Sequence, residues 1–113
     1  MSTAEPRMSI PKSASSAARN ALQKRKELPI SKRFGTAVGL ARAAQLAAGG
    51  TISLTDARNI YGFLSRHKAN FNKAQNKEDL QKVEGAVALW GGMSWFKALE
   101  SFVNNNRSWK RNK

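Results

Sequence analysis

Along this chain apolar residues recur three and four positions apart, the spacing of one helix face, and no stretch alternates as a half-buried strand does. The clearest case is "TISLTDARNIYGFLSRHK", residues 51–68. With about 3.6 residues per turn, Leu54, Ala57, Ile60, Tyr61 and Leu64 share one broad face, and Arg58, Asn59, Gly62 and Arg66 share the other. Ser53, with Asp56 three residues on, has the spacing of a capping box. "TISL" is too short for a strand and reads as the start of this helix. Upstream lies "RFGTAVGLARAAQLAAGG". There Phe34, Val38, Ala41 and Gln45 share one side, and Leu40, Ala43, Ala44 and Ala47 fill much of the rest. Its small side chains permit close helix packing, and Gly49-Gly50 supply the stop, because glycine takes a left-handed conformation without a Cβ penalty.

Downstream, "ANFNKAQN" is a polar link and Asn76 a candidate cap for the next helix. Glu78 and Asp79 lie in that helix's first turn, where its dipole favours negative charge. Leu80, Val83, Val87 and Trp90 form its stripe, Gly91-Gly92 end it, and Ser94 is placed to cap a last helix striped with Trp95, Leu99, Phe102 and Val103. At the start, residues 1–12 contain Pro6 and Pro11 without periodicity and read as disordered in isolation. "SASSAARNALQKRKEL" follows, with Ser13 or Ser15 as cap and Pro29 as terminator. Its few apolar residues make it a weak helix that forms on docking. The expected fold is all-α: a compact bundle of four or five short helices with flexible basic arms. Residues 1–33 would be a partly helical basic arm, 34–104 the helical domain and 105–113 a basic tail.

The chain has 113 residues, so one domain is expected, with roughly 70 residues doing the folding. A domain of that size buries only about 60% of its unfolded surface. It needs large side chains to close its core, which decides the reading of "ALWGGMSWF", residues 88–96. Trp90 and Trp95 flank a glycine corner between two apolar stripes, in the part of the chain that carries no net positive charge. A base-stacking platform belongs in a basic groove. These two tryptophans are therefore expected in the core. Trp109, between Arg107 and Lys110-Arg111, interleaves an aromatic with a basic arm instead.

Charge changes the picture most. The net charge is +13. Residues 1–33 hold eight Lys/Arg against two Glu, residues 34–72 four against one acid, residues 73–103 four of each sign, and the end adds four more cations. Blocks of one sign at both ends point to a polyanion. "QKRKELPISKRF" places Lys24, Arg25, Lys26, Lys32 and Arg33 within ten residues. Arg58 and Arg66, about two turns apart, flank Gly62, where a phosphate backbone could come close. His67 and Lys68 extend that cluster at a helix end where an imidazolium is favoured by the dipole, and Arg107, Lys110 and Arg111 form a second, C-terminal one. Phosphate contacts of this kind set affinity without reading sequence. "GGTIS" is longer than the usual turn of a helix-turn-helix, so base-specific reading is not expected.

Several chemistries are excluded or disfavoured. With no cysteine there is no disulfide, thiolate metal site or cysteine nucleophile. His67 is the single histidine, and no paired carboxylates remain on an apolar face for acid–base work. "GTAVG" lacks the lysine and following Ser/Thr of a phosphate-binding loop. No enzyme activity, metal or cofactor is expected. No apolar run approaches the roughly 20 residues of a membrane span, and "MSTAEPRMSIPK" lacks the apolar segment of a secretory signal.

"LARAAQLAAGGTISLTDARNIYGFLSRHK", followed at a distance by "ALWGG", resembles a small helical module of tailed-bacteriophage head-assembly and DNA-processing proteins, carried by the "RH…LWGG" pattern over about residues 40–92. The linker "NFNKAQNKEDLQKVEG" departs from the acidic-basic spacer of that module. The resemblance implies a helical fold and a phage setting, in the host cytoplasm or the virion. The function expected is a small non-enzymatic phage protein that binds nucleic acid, double-stranded DNA first, through its phosphates. The alternative is a structural or regulatory phage protein that binds another protein, such as a capsid or portal component or a host nucleic-acid enzyme. RNA binding is a third reading.

Overall fold

The computed structural model describes residues 4–73 and 77–109. Five helices make up most of it: α1 (Lys12–Glu27), α2 (Ala37–Ala48), α3 (Leu54–Lys73), α4 (Lys77–Leu89) and α5 (Phe96–Asn105). Short 3-10 turns at Ile30–Lys32 and Met93–Trp95 lead into α2 and α5. Two three-residue strands, β1 (Arg7–Ser9) and β2 (Thr51–Ser53), pair antiparallel with Met8 opposite Ile52. The all-α bundle is thus present, with one addition. "TIS" is a strand rather than the start of a helix, because its partner lies 44 positions away and three residues are too few to display a period of two.

The amphipathic readings of α3 and α5 hold. Leu54, Ala57, Ile60 and Leu64 on α3 and Leu99 on α5 are fully buried, and Tyr61, Phe102 and Val103 pack at the margin. Ser53 Oγ accepts from Asp56 N–H at 3.1 Å, as the capping spacing predicts. The Asp56 carboxylate turns instead to α2, and Glu5 supplies the second cap by accepting the Thr55 N–H. Leu54 N–H donates to Pro6 O at 2.9 Å, so the N-terminal strand closes the start of α3.

Several expectations are corrected. Residues 1–33 do not form an arm apart from the body: β1 is paired, and α1 packs on α2 and α4 with Ala14 and Ala18 wholly buried and Ala21 nearly so. An alanine stripe with little transfer energy of its own lets two backbones approach closely, a gain that exists only when the partner is present. Ser13 and Ser15 lie inside α1 rather than capping it, since the helix starts directly after Pro11. Ser15 Oγ donates to Ala47 O at 3.2 Å, at the end of α2. Pro29 does follow the end of α1. On α2 the buried face is Gly39, Ala43 and Leu46, while Val38 is 65% exposed. Phe34 lies outside the helix and reaches the core from the connection. Ser94 caps nothing; its hydroxyl donates to Ser13 Oγ at 3.1 Å. α3 runs on through Lys73, into the expected link, where no glycine or proline stops it. Asn76 lies outside the described residues.

The tryptophan corner settles in favour of the core: Trp95 is 1% and Trp90 7% exposed. Gly92 N–H donates to Val87 O at 2.9 Å and Gly91 N–H to Ala88 O at 3.0 Å, the paired bonds of a Schellman ending. Gly91 has φ +95°, and a Cβ there would stand 2.5 Å from Trp95 Nε1. The indole uses that space and donates to Trp90 O at 3.2 Å. Gly85 plays a similar part inside α4, where a Cβ would fall against the Phe34 ring.

Gly85→Ala tests this packing. Alanine improves helix propensity by about 1 kcal/mol, but overpacking costs about 1–3 kcal/mol. The urea midpoint is expected to fall with an unchanged m-value. A rise would show that Phe34 yields freely. The α3–α5 contact has its own reporter in Tyr61, the single tyrosine. Its hydroxyl donates to Glu100 Oε2 at 2.9 Å, and that bond, with partial burial and the carboxylate charge, raises the phenol above its ordinary 10.0. The contact therefore stabilises the fold below that pH and is lost as pH rises through the higher folded value. Phenolate absorbance should titrate above 10.0 in the native protein and move down in Glu100→Gln.

Candidate nucleic-acid interface

The cations singled out from sequence play two parts, and Arg33 plays both. Lys24, Lys26, Lys32, Arg33, Arg66, Lys68 and Arg107 are exposed. Arg25, Arg33 and Arg58 donate to backbone carbonyls. Arg25 Nε reaches Phe34 O at 2.7 Å; Arg33 reaches Leu28 O at 3.0 Å and Lys26 O at 3.3 Å, closing the end of α1. Such carbonyls have no partner within the helix, and a guanidinium both satisfies them and complements the negative end of the dipole. Arg58 does the same after α5, donating to Asn106 O at 3.1 Å and Trp109 O at 3.0 Å, with its guanidinium 5.9 Å from the Trp109 ring centroid. The described part of the tail is thereby tied to α3 rather than hanging free. Lys110 and Arg111 lie outside the described residues.

The pair of arginines expected to frame an open Gly62 is arranged otherwise. Arg58 turns to the tail, and a Cβ at Gly62 would stand 3.5 Å from the Arg66 guanidinium. Lys68 Nζ lies 5.2 Å from the centroid of Phe96. His67 is not at a helix end, because α3 continues to Lys73, so the dipole argument for its imidazolium falls away. His67 stacks on Phe63 at 4.0 Å and 22°, and Phe63 stacks on Trp90 at 4.1 Å and 11°. The guanidinium of Arg42 lies over Trp90, 5.3 Å from its centroid. Arg42, Trp90, Phe63 and His67 thus form one column that crosses from α2 through α4 to α3.

Trp90, Phe63 and His67 of this column line an open cleft of about 270 Å³. Gly35, Thr36 and Gly39 form one wall at the start of α2, Phe63 and His67 the second on α3, and Ala86, Leu89 and Trp90 the third, on α4 and just past its end. Thr36 caps α2, its Oγ accepting the Gly39 N–H at 3.2 Å. A Cβ on Gly39 would stand 3.3 Å from Trp90 Nε1, so the missing side chain leaves the indole its place. Sequence reasoning missed Arg42, Phe63 and the cleft. The four-residue spacing of Phe63 and His67 was a readable signal for the stack; nothing local marked Arg42.

Arg42 is anchored from behind. Its side chain is 14% exposed and its Nη1 lies 3.2 Å from Asp56 Oδ1 and 2.7 Å from Gln45 Oε1; Gln45 Nε2 donates to Asp56 Oδ2 at 2.9 Å. Burial pushes the Asp56 carboxyl up, but the Gln45 hydrogen bond, the Arg42 guanidinium and the charge of Arg7 outweigh it and hold the group below its ordinary 3.8.

No family model matches this chain, and searches of curated proteins and of solved structures return no match. Among the described residues no cluster of three His, Asp or Glu side chains could hold a metal ion, and no described helix is long and apolar enough to cross a membrane. Fold and surface together define a small helical protein with an exposed cationic surface and, among the described residues, an aromatic-lined cleft.

A carboxyl depressed by folding stabilises the native state above its unfolded pKa, and that contribution is lost as pH falls through the lower folded value. Asp56→Asn is therefore expected to lower stability at neutral pH. Its stability should also change less steeply with pH than wild type below 3.8, read as urea midpoints across the acid range. Identical acid limbs would mean that the ion pair does not couple to folding.

Proposed function

We propose that this protein is a non-enzymatic phage protein that binds nucleic acid, double-stranded DNA first, through phosphate contacts. The observation that carries the reading is the exposure of Lys24, Lys26, Lys32, Arg33, Arg66, Lys68 and Arg107 on a body with net charge +13. Neutralised phosphates release condensed counterions, which makes such an interface tight at low salt and weak at high salt. The arginines that bind carbonyls keep their charge and add to the field. The phage setting, in the host cytoplasm or the virion, rests on the "RH…LWGG" resemblance, whose residues fall on α2, β2, α3 and the corner after α4. Ile30 and Val38, 82% and 65% exposed, favour a second reading. They offer apolar anchors beside cations for an acidic protein partner, such as a capsid or portal component or a host nucleic-acid enzyme.

Binding to duplex DNA at graded salt tests the first reading. If about six phosphates are neutralised, log affinity should fall against log salt with a slope near −5. Replacing Lys24, Lys26 and Lys32 with glutamine removes charge without touching the carbonyl-binding arginines, and should reduce the slope by up to about 3. Absence of duplex binding at low salt, or affinity indifferent to salt, would sink the reading. Equal competition by duplex RNA would move it to RNA.

A further inference from the structure

Helix α1 carries on its outer side something that phosphate contacts do not use. We propose that this face enters the major groove of duplex DNA and reads base edges through Ser16, Asn20 and Gln23, while the lysines beside them hold the two phosphate strands. The inference rests on the phosphate-binding reading and extends it from charge to sequence.

The face follows from how α1 is held. Ala14, Ala18 and Ala21 are its buried side. At about 100° per residue the opposite direction falls on Ser16, Gln23 and Asn20, and all three are exposed. Each of these side chains both donates and accepts. Lys26 lies at one margin of the strip, Lys24 at the other, and Lys12 stands at its start; all three lysines are exposed. Lys24 also borders, with Glu84, the hollow between α1 and α4, and among the described residues no ion pair ties it there. Arg19, beside Lys26, donates to Ala47 O at 3.3 Å and keeps its charge. Amides and a hydroxyl in the middle with cations at the margins match a major groove, which has base edges in the middle and a phosphate strand on each side.

The dimensions agree. An α-helix with its side chains is about 10–12 Å across, and the major groove of B-DNA is about 12 Å wide. From Ser16 to Gln23 the helix rises about 10 Å, which spans about three base pairs at about 3.4 Å each. The major groove of an RNA duplex is deep and narrow, and side chains cannot read it, so the inference is confined to DNA.

The amides point to a base. Asn and Gln bond adenine in two places, accepting from N6 and donating to N7. Gln23 Nε2 donates one hydrogen to Glu27 Oε1 at 3.3 Å, and its second hydrogen and its carbonyl stay for a base. Glu27 thereby braces Gln23. A carboxylate is repelled by phosphate, but over base edges it meets a donor in the cytosine amino group.

The other helices lack this arrangement among their described residues. The exposed positions of α2 are alanines and Val38. On α3, Arg58 is tied to the tail and Lys68 lies over Phe96. α4 has more acids than cations, and α5 has Lys97 as its one cation.

The test selects with the full chain, at moderate salt, from duplexes that carry a randomised core. Affinity for an enriched duplex is then compared with that for a shuffled duplex of equal length by fluorescence anisotropy. Enriched duplexes are expected to share adenines within about three base pairs and to bind about a hundredfold more tightly than shuffled ones. Asn20→Ala and Gln23→Ala should each reduce that advantage about tenfold and leave the shuffled affinity unchanged. Both positions are exposed and alanine favours a helix, so both variants are expected to fold, which circular dichroism checks. In wild type, an adenine analogue without the N7 acceptor should weaken the enriched duplex by a similar factor, and this arm needs no variant. Enrichment of no sequence, with salt-dependent duplex binding intact, overturns the inference and leaves the phosphate reading standing. A preference that survives both substitutions also overturns it, assigning the preference to DNA shape or to another surface. Absence of any duplex binding at low salt removes the two readings together.

Discussion

The structure depends on rings packed where glycines leave room. Phe34 lies on Gly85, Trp95 on Gly91 and Trp90 beside Gly39. The three rings come from the α1–α2 connection, the turn before α5 and the end of α4, and three of these six residues belong to α4 or its terminus. A chain this short cannot bury enough surface with aliphatic side chains alone. It gains more from a few large rings, provided the backbone opposite carries no Cβ. The contacts fix α4 against its neighbours, and with it the place of Trp90. Once Trp90 is placed, Phe63 and His67 stack on one side and Arg42 covers the other. The cleft is the space this column leaves against the start of α2.

The cationic residues serve two purposes, and the division runs close to the difference between arginine and lysine. Arg19, Arg25, Arg33 and Arg58 donate to backbone carbonyls in or after helices, and Arg7 to the strand residue Thr51. A guanidinium has five donors in a fixed plane, so it can satisfy a carbonyl and still present charge to solvent. Lys24, Lys26 and Lys32 are exposed. Folding and electrostatics are therefore entangled at the arginines and separable at these lysines. An excess of positive charge also repels itself in the compact state, and neutral carbonyl partners let the fold hold it without spending its few acids. Asp56 is committed to Arg42 behind the aromatic column.

How much of this was legible from residues alone depends on whether the deciding partner was local. The helical face of α3, the stripe of α5, the stops at Gly49-Gly50 and Gly91-Gly92 and the interior position of Trp90 and Trp95 follow from spacing, backbone freedom and size. A helix face and a glycine ending are properties of a dozen neighbouring residues. So is the cationic excess. The expectation of a separate N-terminal arm failed on Ala14, Ala18 and Ala21, which look too small to hold a helix until α2 and α4 stand against them.

Chain pattern by itself thus determined the class of fold, the residues that must be inside and the sign of the surface. Tertiary structure alone decided that β1 pairs with β2, that α1 belongs to the core, that α3 carries His67 in its interior, and which cations close carbonyls and which face solvent. It also decided that Arg42, Trp90, Phe63 and His67 meet. The strand pair, the docking of α1 and the meeting of Arg42, Trp90 and Phe63 each rest on a contact between segments far apart in sequence. Its energy arises only when both surfaces are already formed, and no local periodicity records it.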